Sequence, residues 1–278
     1  GQVGHINQLN VSAWLPWLMV AFDEAVRRRS TTIGIVTGLI GSLQLLAGHT
    51  QQRYFSTAAL GLFALWRMVM PASSATRSAH TEAHPGAFIA EHEASTDSLG
   101  GGSAPSAPAA PSSGLIPYKQ YNNGSSIGII RRFRPLLYLA VVGLVEAGIT
   151  AIQLLPSFEL SRYSIRGSGM PYYEAVSFSL PPTTLLYTVL STYPSELFSE
   201  YVGYVGVIPL VLAILAVIAW MARPITAFMA ALAGFGLFMA LGKYNPLYPY
   251  LFVLIPGLDL FRVPARWLLI YTFGVCGL

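Results

Sequence analysis

Residues 131–155 read RRFRPLLYLAVVGLVEAGITAIQLL, in which three arginines precede a long apolar run. From position 135 onward the run contains a single charged residue, Glu146, near its middle. About 20 consecutive apolar residues are what an α-helix needs to cross the hydrocarbon core of a bilayer. The stretch therefore predicts a membrane-spanning helix whose arginine-rich end faces the cytoplasm.

Further apolar runs lie on both sides of this stretch, at 11–26, 31–48, 54–70, 204–222, 225–241 and 264–278. Asp23 and Glu24 interrupt the first of them, and the sequence stops within the last. The shorter run 247–255 predicts an interfacial or re-entrant helix, because it is too short to cross. We therefore expect an all-α, polytopic transmembrane helical bundle of about seven spans, located in the cell membrane as a multi-pass protein.

The composition supports a membrane class. Of the 278 residues, 54% are apolar and 10% are charged, whereas soluble domains carry about 25% charged residues. The sequence has sixteen Lys and Arg and twelve Asp and Glu, and the basic residues lie between apolar runs. This charge pattern indicates membrane orientation and argues against a nucleic-acid partner. The single cysteine, Cys276, excludes a disulfide framework and a cysteine-based metal site.

The chain divides into three parts. Residues 1–70 and 131–278 are predicted transmembrane helices, the latter with a long outer loop at 156–203. Residues 71–130 are rich in Ser, Ala, Gly and Pro, which predicts a disordered cytoplasmic loop. Three histidines in this loop could bind a metal, but a solvated linker is the favoured interpretation, so we expect no metal site. The sequence begins without Met or a leader and ends in an apolar run, so we expect both ends to be cuts through a longer polypeptide.

The outer face collects most of the residues that could perform chemistry. With Arg27–Arg29 placed in the cytoplasm, six of the sixteen basic residues fall outside, among aromatic, amide and carboxylate side chains. An aromatic belt at the lipid headgroups explains such a collection, and so does a sugar-binding site. Glu146, near mid-membrane, marks either a function or a buried partner. No Walker A, dinucleotide-binding, Ser-His-Asp or zinc-spacing motif occurs in the sequence.

Several short segments, taken in order, resemble the YfhO-type bacterial membrane proteins, which are similar to the GT-C class of glycosyltransferases. The segments are Gly4-His5, Ser12-Ala13-Trp14-Leu15-Pro16, Gln44-Leu45-Leu46-Ala47-Gly48-His49, Gln153-Leu154-Leu155-Pro156-Ser157-Phe158-Glu159-Leu160-Ser161, Tyr201-Val202-Gly203-Tyr204-Val205-Gly206 and Phe261-Arg262-Val263-Pro264-Ala265-Arg266. The resemblance implies transfer of a sugar from a polyprenyl-phosphate donor to a cell-envelope acceptor at the outer membrane face. The partners would then be the lipid bilayer and the polyprenyl-phosphate-linked sugar.

The resemblance also implies where the site residues lie. The catalytic acidic residue of such enzymes lies in the first outer loop, upstream of this sequence, so we expect the fragment alone to be inactive. No cofactor is identified, although the full-length protein could use a divalent metal. The expected substrate-binding residues are His5, His49, Gln52, Tyr54, Glu159, Arg162, Arg262 and Arg266. The alternative function is a non-catalytic transporter or flippase of lipid-linked glycans.

The motif around Arg262 and Arg266 allows a sharper hypothesis. Pro264 suits the first turn of a helix, and that helix would begin at the outer surface with its free N–H groups facing the headgroups. Two arginines at this end would bind the lipid phosphate through their forked donors. The alternative is that both extend to lipid headgroups or pair with Asp259.

Overall fold

A computed structural model describes residues 10–70, 124–163, 169–190 and 198–278 of the protein. Within these ranges the regular elements are all helical, which confirms the all-α class. Gly1–Met70 and Arg132–Leu278 together form one compact unit, and Pro71–Arg131 forms a second unit that is described only from Gly124. His5 and residues 71–123, most of the predicted cytoplasmic loop, lie outside the described residues.

Most of the α-helices overlap the predicted apolar runs, with shifted ends. The helices are α1 (Leu15–Arg28), α2 (Thr31–Leu46), α3 (Thr50–Val69), α4 (Gly124–Arg162), α5 (Tyr172–Ala175), α6 (Val207–Trp220), α7 (Pro224–Ala240), α8 (Tyr248–Leu254) and α9 (Leu268–Cys276). Short 3₁₀ turns at Pro182–Thr188, Ser199–Tyr201, Gly242–Tyr244, Leu258–Leu260 and Pro264–Trp267 shape the connections.

Local sequence signals set several of the helix boundaries. The Ser30 hydroxyl accepts a hydrogen bond from the backbone N–H of Ile33 at 3.4 Å and caps α2. The His49 Nδ1 accepts from the backbone N–H of Gln52 at 3.3 Å and caps α3 in the same way. Pro224 occupies the first turn of α7, and Pro264 opens the 3₁₀ turn that leads into α9. The prediction that a helical segment begins at Pro264 is therefore confirmed.

The lengths of the helices correct the expected number of spans. In the described chain, one helix is long and apolar enough to cross a membrane, namely residues 132–162 of α4. The apolar helices α2, α6 and α7 have 16, 14 and 17 residues, and at about 1.5 Å per residue they reach roughly 21–26 Å. Helix α3 has 20 residues but carries polar groups at both ends, including Arg53 and Arg67. Seven spans are therefore not supported by helix length and composition.

Two further sequence predictions, for the loop 71–130 and the run 247–255, can be compared with helices α4 and α8. Helix α4 begins at Gly124, inside the 71–130 segment predicted as a loop, and continues through Pro135 and Pro156. Each proline removes one backbone hydrogen bond without ending the helix. The run 247–255 forms the short helix α8, as its length predicted.

The core lies between α1, α3, α7 and α9, where aromatic rings interlock. The rings of Phe55 and Trp267 lie 4.3 Å apart, and those of Phe63 and Phe228 lie 5.0 Å apart. Helices α7 and α9 approach most closely at Gly236, where an added Cβ would lie 2.4 Å from the backbone nitrogen of Tyr271. Only glycine permits that backbone contact. The packing of α9 on α7 thus fixes where Arg262 and Arg266, just before α9, stand.

Candidate functional site

Four consecutive polar residues, Gln51, Gln52, Arg53 and Tyr54, open helix α3 and contribute to two separate clusters. Successive residues of an α-helix point about 100° apart, so neighbours in sequence face different surroundings. Gln51 and Tyr54 face the segment before α9, whereas Gln52 and Arg53 belong with α2 and α4. We call these the terminal cluster (Gln51, Tyr54, Glu200, Asp259, Arg262, Arg266) and the buried polar cluster (Gln44, Gln52, Arg53, Ser56, Glu146).

Arg266 is the most constrained member of the terminal cluster. Its Nε and Nη2 donate to the two carboxylate oxygens of Glu200, the latter at 2.6 Å, and its Nη1 donates to Gln51 Oε1 at 2.5 Å. The side chain of Glu200 is only 8% exposed, so this is a largely desolvated, two-pronged ion pair. The guanidinium of Arg266 therefore holds the Ser199–Tyr201 turn and the start of α3 against the segment that precedes α9.

Gln51 connects Arg266 to Arg262. While its amide oxygen accepts from Arg266, its Nε2 donates to the backbone carbonyl of Arg262 at 2.7 Å. The next residue, Val263, has φ +67°, in the left-handed region that a β-branched residue rarely adopts. Such strained residues persist only where the surrounding structure holds them, and Gln51 and Pro264 flank this one. The backbone that carries the Arg262 side chain is thus held in place from both sides.

Arg262 itself is exposed, and no carboxylate in the described ranges forms an ion pair with it. Asp259 is the nearest acidic residue in sequence, but it pairs with neither Arg262 nor Arg266 there. Its carboxylate lies against Gly169 instead, where an added Cβ would be 2.6 Å from Oδ2. The Asp259 backbone carbonyl accepts from the N–H of Met170 at 2.9 Å.

Aromatic side chains surround this end of the molecule. The Tyr54 hydroxyl donates to the carbonyl of Pro256 at 3.0 Å, and its ring lies 5.2 Å from that of Phe261. Tyr248 is buried nearby, and burial raises the pKa of its hydroxyl, to which the neighbouring phenols of Tyr172 and Tyr54 add. These hydroxyls therefore remain protonated donors at neutral pH, since burial also raises the pKa of Tyr54 and the nearby Asp259 carboxylate raises the pKa of that phenol further.

The remaining predicted site residues lie elsewhere. Glu159 and Arg162 are on the exposed C-terminal end of α4, where the Arg162 guanidinium covers the Phe158 ring at 5.1 Å. His49 caps α3, and Gln52 is part of the buried polar cluster. Of the eight predicted residues, the structure therefore brings Tyr54, Arg262 and Arg266 together. Gln51 and Glu200 were not predicted, although the run of amides at Gln51–Gln52 could have drawn attention to the first.

The buried polar cluster is built around an ion pair between α3 and α4. Arg53 donates from Nε to Glu146 Oε1 at 2.5 Å and from Nη2 to Oε2, and the two side chains are 4% and 14% exposed. Glu146 thus has its partner on a neighbouring helix. Gly41 of α2 makes room for the pair, since an added Cβ would lie 3.0 Å from both Arg53 Nη2 and Glu146 Oε2.

Among the described residues, no group of three or more His, Cys, Asp or Glu side chains could hold a metal ion. No protein-family model, curated protein or solved structure matches the chain.

Proposed function

We propose that this chain is part of a bacterial multi-pass membrane protein that binds a polyprenyl-phosphate-linked sugar and transfers the sugar to a cell-envelope acceptor. The catalytic acidic residue would lie upstream, so the fragment alone binds the donor lipid without turning it over. The sequence resemblance suggests the reaction. The observation that carries the donor-binding part is a contrast within the terminal cluster: Arg266 is paired with Glu200, whereas Arg262 meets no carboxylate among the residues that the structure describes.

The membrane location is supported by apolar side chains that the fold leaves uncovered. In the most apolar window of α4 only 22% of the residues are buried, and Leu144 and Ile152 are 74% and 82% exposed. On α6, Ile208 and Ile218 are each 75% exposed. Exposing apolar surface to water costs about 25 cal/mol per Å², so a lipid environment suits these helices. The shorter helices would cross by local thinning of the bilayer or by association with their neighbours.

Donor binding rests on charge and geometry. In the described chain Arg53 and Arg266 each meet a carboxylate, whereas Arg262 offers a forked donor on a constrained backbone. A phosphate accepts two parallel N–H bonds from such a fork. The ring of Phe261, the residue before Arg262 in the sequence, lies 5.2 Å from that of Tyr54, and the two provide apolar faces of the kind that sugar rings and prenyl chains pack against.

A transporter or flippase of lipid-linked glycans is the second candidate, and one observation favours it. The Arg53–Glu146 pair lies near the middle of the longest apolar helix, and charged groups at that depth often mark a transport path. The two candidates differ in what a substrate contacts. A transferase needs the terminal cluster, whereas a transporter also needs the buried pair.

Donor binding can be measured with the chain reconstituted in vesicles that contain either a polyprenyl phosphate or the uncharged polyprenol. We expect Arg262→Lys to keep the charge but lose the fork and to weaken phosphate-lipid binding at least ~10-fold, because one charge-assisted hydrogen bond contributes about 1.5–3 kcal/mol. Binding of the polyprenol should not change. Arg223→Lys, at an exposed arginine outside the terminal cluster, is the matched control. Equal phosphate-lipid affinity of Arg262→Lys and the unmodified chain would remove the proposal's main support.

Topology provides an independent test of the membrane proposal. In a Cys276→Ser background, an impermeant thiol reagent applied to intact cells should label Ser168→Cys and spare Ser103→Cys, because 156–203 is expected outside and 71–130 inside. The reverse pattern would overturn the orientation. Labelling of both sites in intact cells would contradict the membrane-spanning arrangement itself.

A further inference from the structure

The backbone at Val263 adopts a conformation that the sequence disfavours on two grounds. Its φ and ψ are +67° and +70°, in the left-handed region. A β-branched residue is an outlier there, and a residue that precedes proline, as Val263 precedes Pro264, ordinarily adopts an extended conformation. Strained residues of this kind cluster at ligand clamps and active sites, where the strain serves to pre-organise a group. Val263 therefore points to a function for the residues beside it.

Hydrogen bonds fix the backbone on both sides of the strained bond. The Arg262 carbonyl accepts from Gln51 Nε2 at 2.7 Å, and the Val263 carbonyl accepts from the backbone N–H of Arg266 at 3.1 Å. Gln51 is 6% exposed and is itself held, because its Oε1 accepts from Arg266 Nη1 at 2.5 Å. Two consecutive carbonyls of the turn are thus tied to partners that are also tied to each other.

The residues of the turn differ sharply in exposure. Val263, Pro264 and Ala265 are buried, and Pro264 lies against Gly242, where an added Cβ would be 2.9 Å from the proline side chain. Arg262 is exposed, and among the residues that the structure describes no carboxylate forms an ion pair with it. The turn therefore presents one exposed cation on a backbone that is fixed from within the fold.

We propose that the strained turn positions the Arg262 guanidinium for the phosphate of a lipid, and that Gln51 is the positioning residue that fixes the turn. A fixed backbone avoids the conformational entropy that a mobile segment would lose when the ligand binds. The cost of the left-handed conformation is met when the protein folds and not when the phosphate arrives. This role of Gln51 and Val263 rests on the proposed function, because the ligand that it serves is the phosphate bound by Arg262.

Two substitutions of Val263 separate positioning from stability. Val263→Ala and Val263→Gly both lose the buried methyl groups, but only glycine adopts this φ without strain and leaves the turn free to move. In vesicles that contain polyprenyl phosphate, we expect Val263→Gly to bind about tenfold more weakly than Val263→Ala, the ratio that about 1.4 kcal/mol of backbone ordering produces. In detergent, the unfolding midpoint of Val263→Gly should equal or exceed that of Val263→Ala, because the strain is relieved.

A purely structural role of Val263 would change stability and affinity in the same direction. Weaker binding by a glycine variant that is no less stable than the alanine variant supports positioning. Equal affinities of the two variants, or weaker binding that appears only together with a lower unfolding midpoint, would overturn it.

Trypsin measures the turn without any lipid. It cleaves the peptide bond after Arg262 only when that segment leaves the fixed conformation, so the rate reports the open population. Gln51→Glu keeps an oxygen for Arg266 but has no N–H to donate to the Arg262 carbonyl. We expect cleavage between Arg262 and Val263, followed by mass spectrometry, to become about 3–10-fold faster. Thr50→Glu adds the same charge at an exposed neighbouring position and is the control. Equal rates for the two variants would show that Gln51 does not fix the turn.

The binding assay also distinguishes failure of this role from failure of the proposed function. If Arg262→Lys binds the phosphate lipid as tightly as the unmodified chain, the proposed function fails and the positioning role fails with it. If Arg262→Lys weakens binding but Val263→Gly binds as tightly as Val263→Ala, the phosphate site stands and only the positioning role is wrong. Binding of the uncharged polyprenol should be the same for all of these variants.

Discussion

Two helix contacts in this molecule use glycine to make room for different groups. Between α7 and α9, the backbones meet at Gly236 and Gly274, and the surroundings are apolar. Between α2 and α4, Gly41 leaves space for a charged pair, Arg53 and Glu146. The first contact depends on shape, because a side chain added at either glycine would clash with the backbone of the facing helix. The second depends on matching partners, so its energy is lost when one partner is removed and the other remains.

Removing one charge should have the largest effect. Glu146→Leu leaves the Arg53 guanidinium buried without its partner, and we expect the free energy of unfolding to fall by about 3–5 kcal/mol. The double variant Arg53→Met with Glu146→Leu should recover most of that loss, since both charges are then gone. Chemical unfolding in detergent measures both. A double variant no more stable than Glu146→Leu would show that the pair is not the source of the effect. Glu159→Leu, at the exposed end of α4, is the control and should change the stability little.

A methyl group at the apolar contact should have an intermediate effect. In Gly236→Ala, the added Cβ meets the Tyr271 backbone, so α7 and α9 must separate at a cost of about 1–3 kcal/mol. Gly234→Ala is two residues away on the same helix, where an added Cβ meets nothing within 4 Å. It should be neutral or slightly stabilising, because alanine favours a helix over glycine. Equal unfolding midpoints for these two variants would contradict the close α7–α9 approach.

The smallest effect is expected at a neutral member of the buried polar cluster. Ser56→Ala removes the hydrogen bond to the Gln52 carbonyl and one of the two bonds made by Gln44 Nε2. We expect a loss of about 0.5–1.5 kcal/mol in the free energy of unfolding, close to that of one neutral hydrogen bond, because Gln44 Nε2 keeps its bond to the Val11 carbonyl. Ser177→Ala, whose hydroxyl bonds its own turn at a half-exposed site, should change stability less. A Ser56→Ala variant as stable as the unmodified chain would separate Ser56 from the cluster.

The sequence predicted best where the deciding signal is local. Helix α2 begins at Thr31 as expected, because Ser30 caps it, and α7 begins at Pro224, one residue before the predicted run. The prediction for α3 began four residues late, at 54 instead of Thr50. The polar residues at its start predict a loop, whereas tertiary partners of Gln51 and Arg53 keep this stretch helical.

Pairing between distant residues could not be read from the sequence. Arg266 has several carboxylates available on the predicted outer side, including Glu159, Glu174 and Asp259, and nothing local selects Glu200. The choice depends on how the Ser199–Tyr201 turn packs against the Pro264–Trp267 turn, which is a property of the folded chain. The expectation of seven spans failed for a related reason, because apolar character fixes a helix better than it fixes its length.

The hydrogen bonds that join Gln51, Glu200 and Arg266 determine when this part of the fold can form during synthesis. Gln51 emerges from the ribosome long before Glu200, and Arg266 comes last, 215 positions after Gln51. Until Arg266 arrives, Glu200 has no cation and Gln51 has neither of its bonds to the Arg262–Arg266 segment. Helix α3 therefore lacks its contacts with the segment before α9 during most of synthesis. A chain that ends before Arg262 therefore lacks every one of these bonds, whatever helices it has already formed.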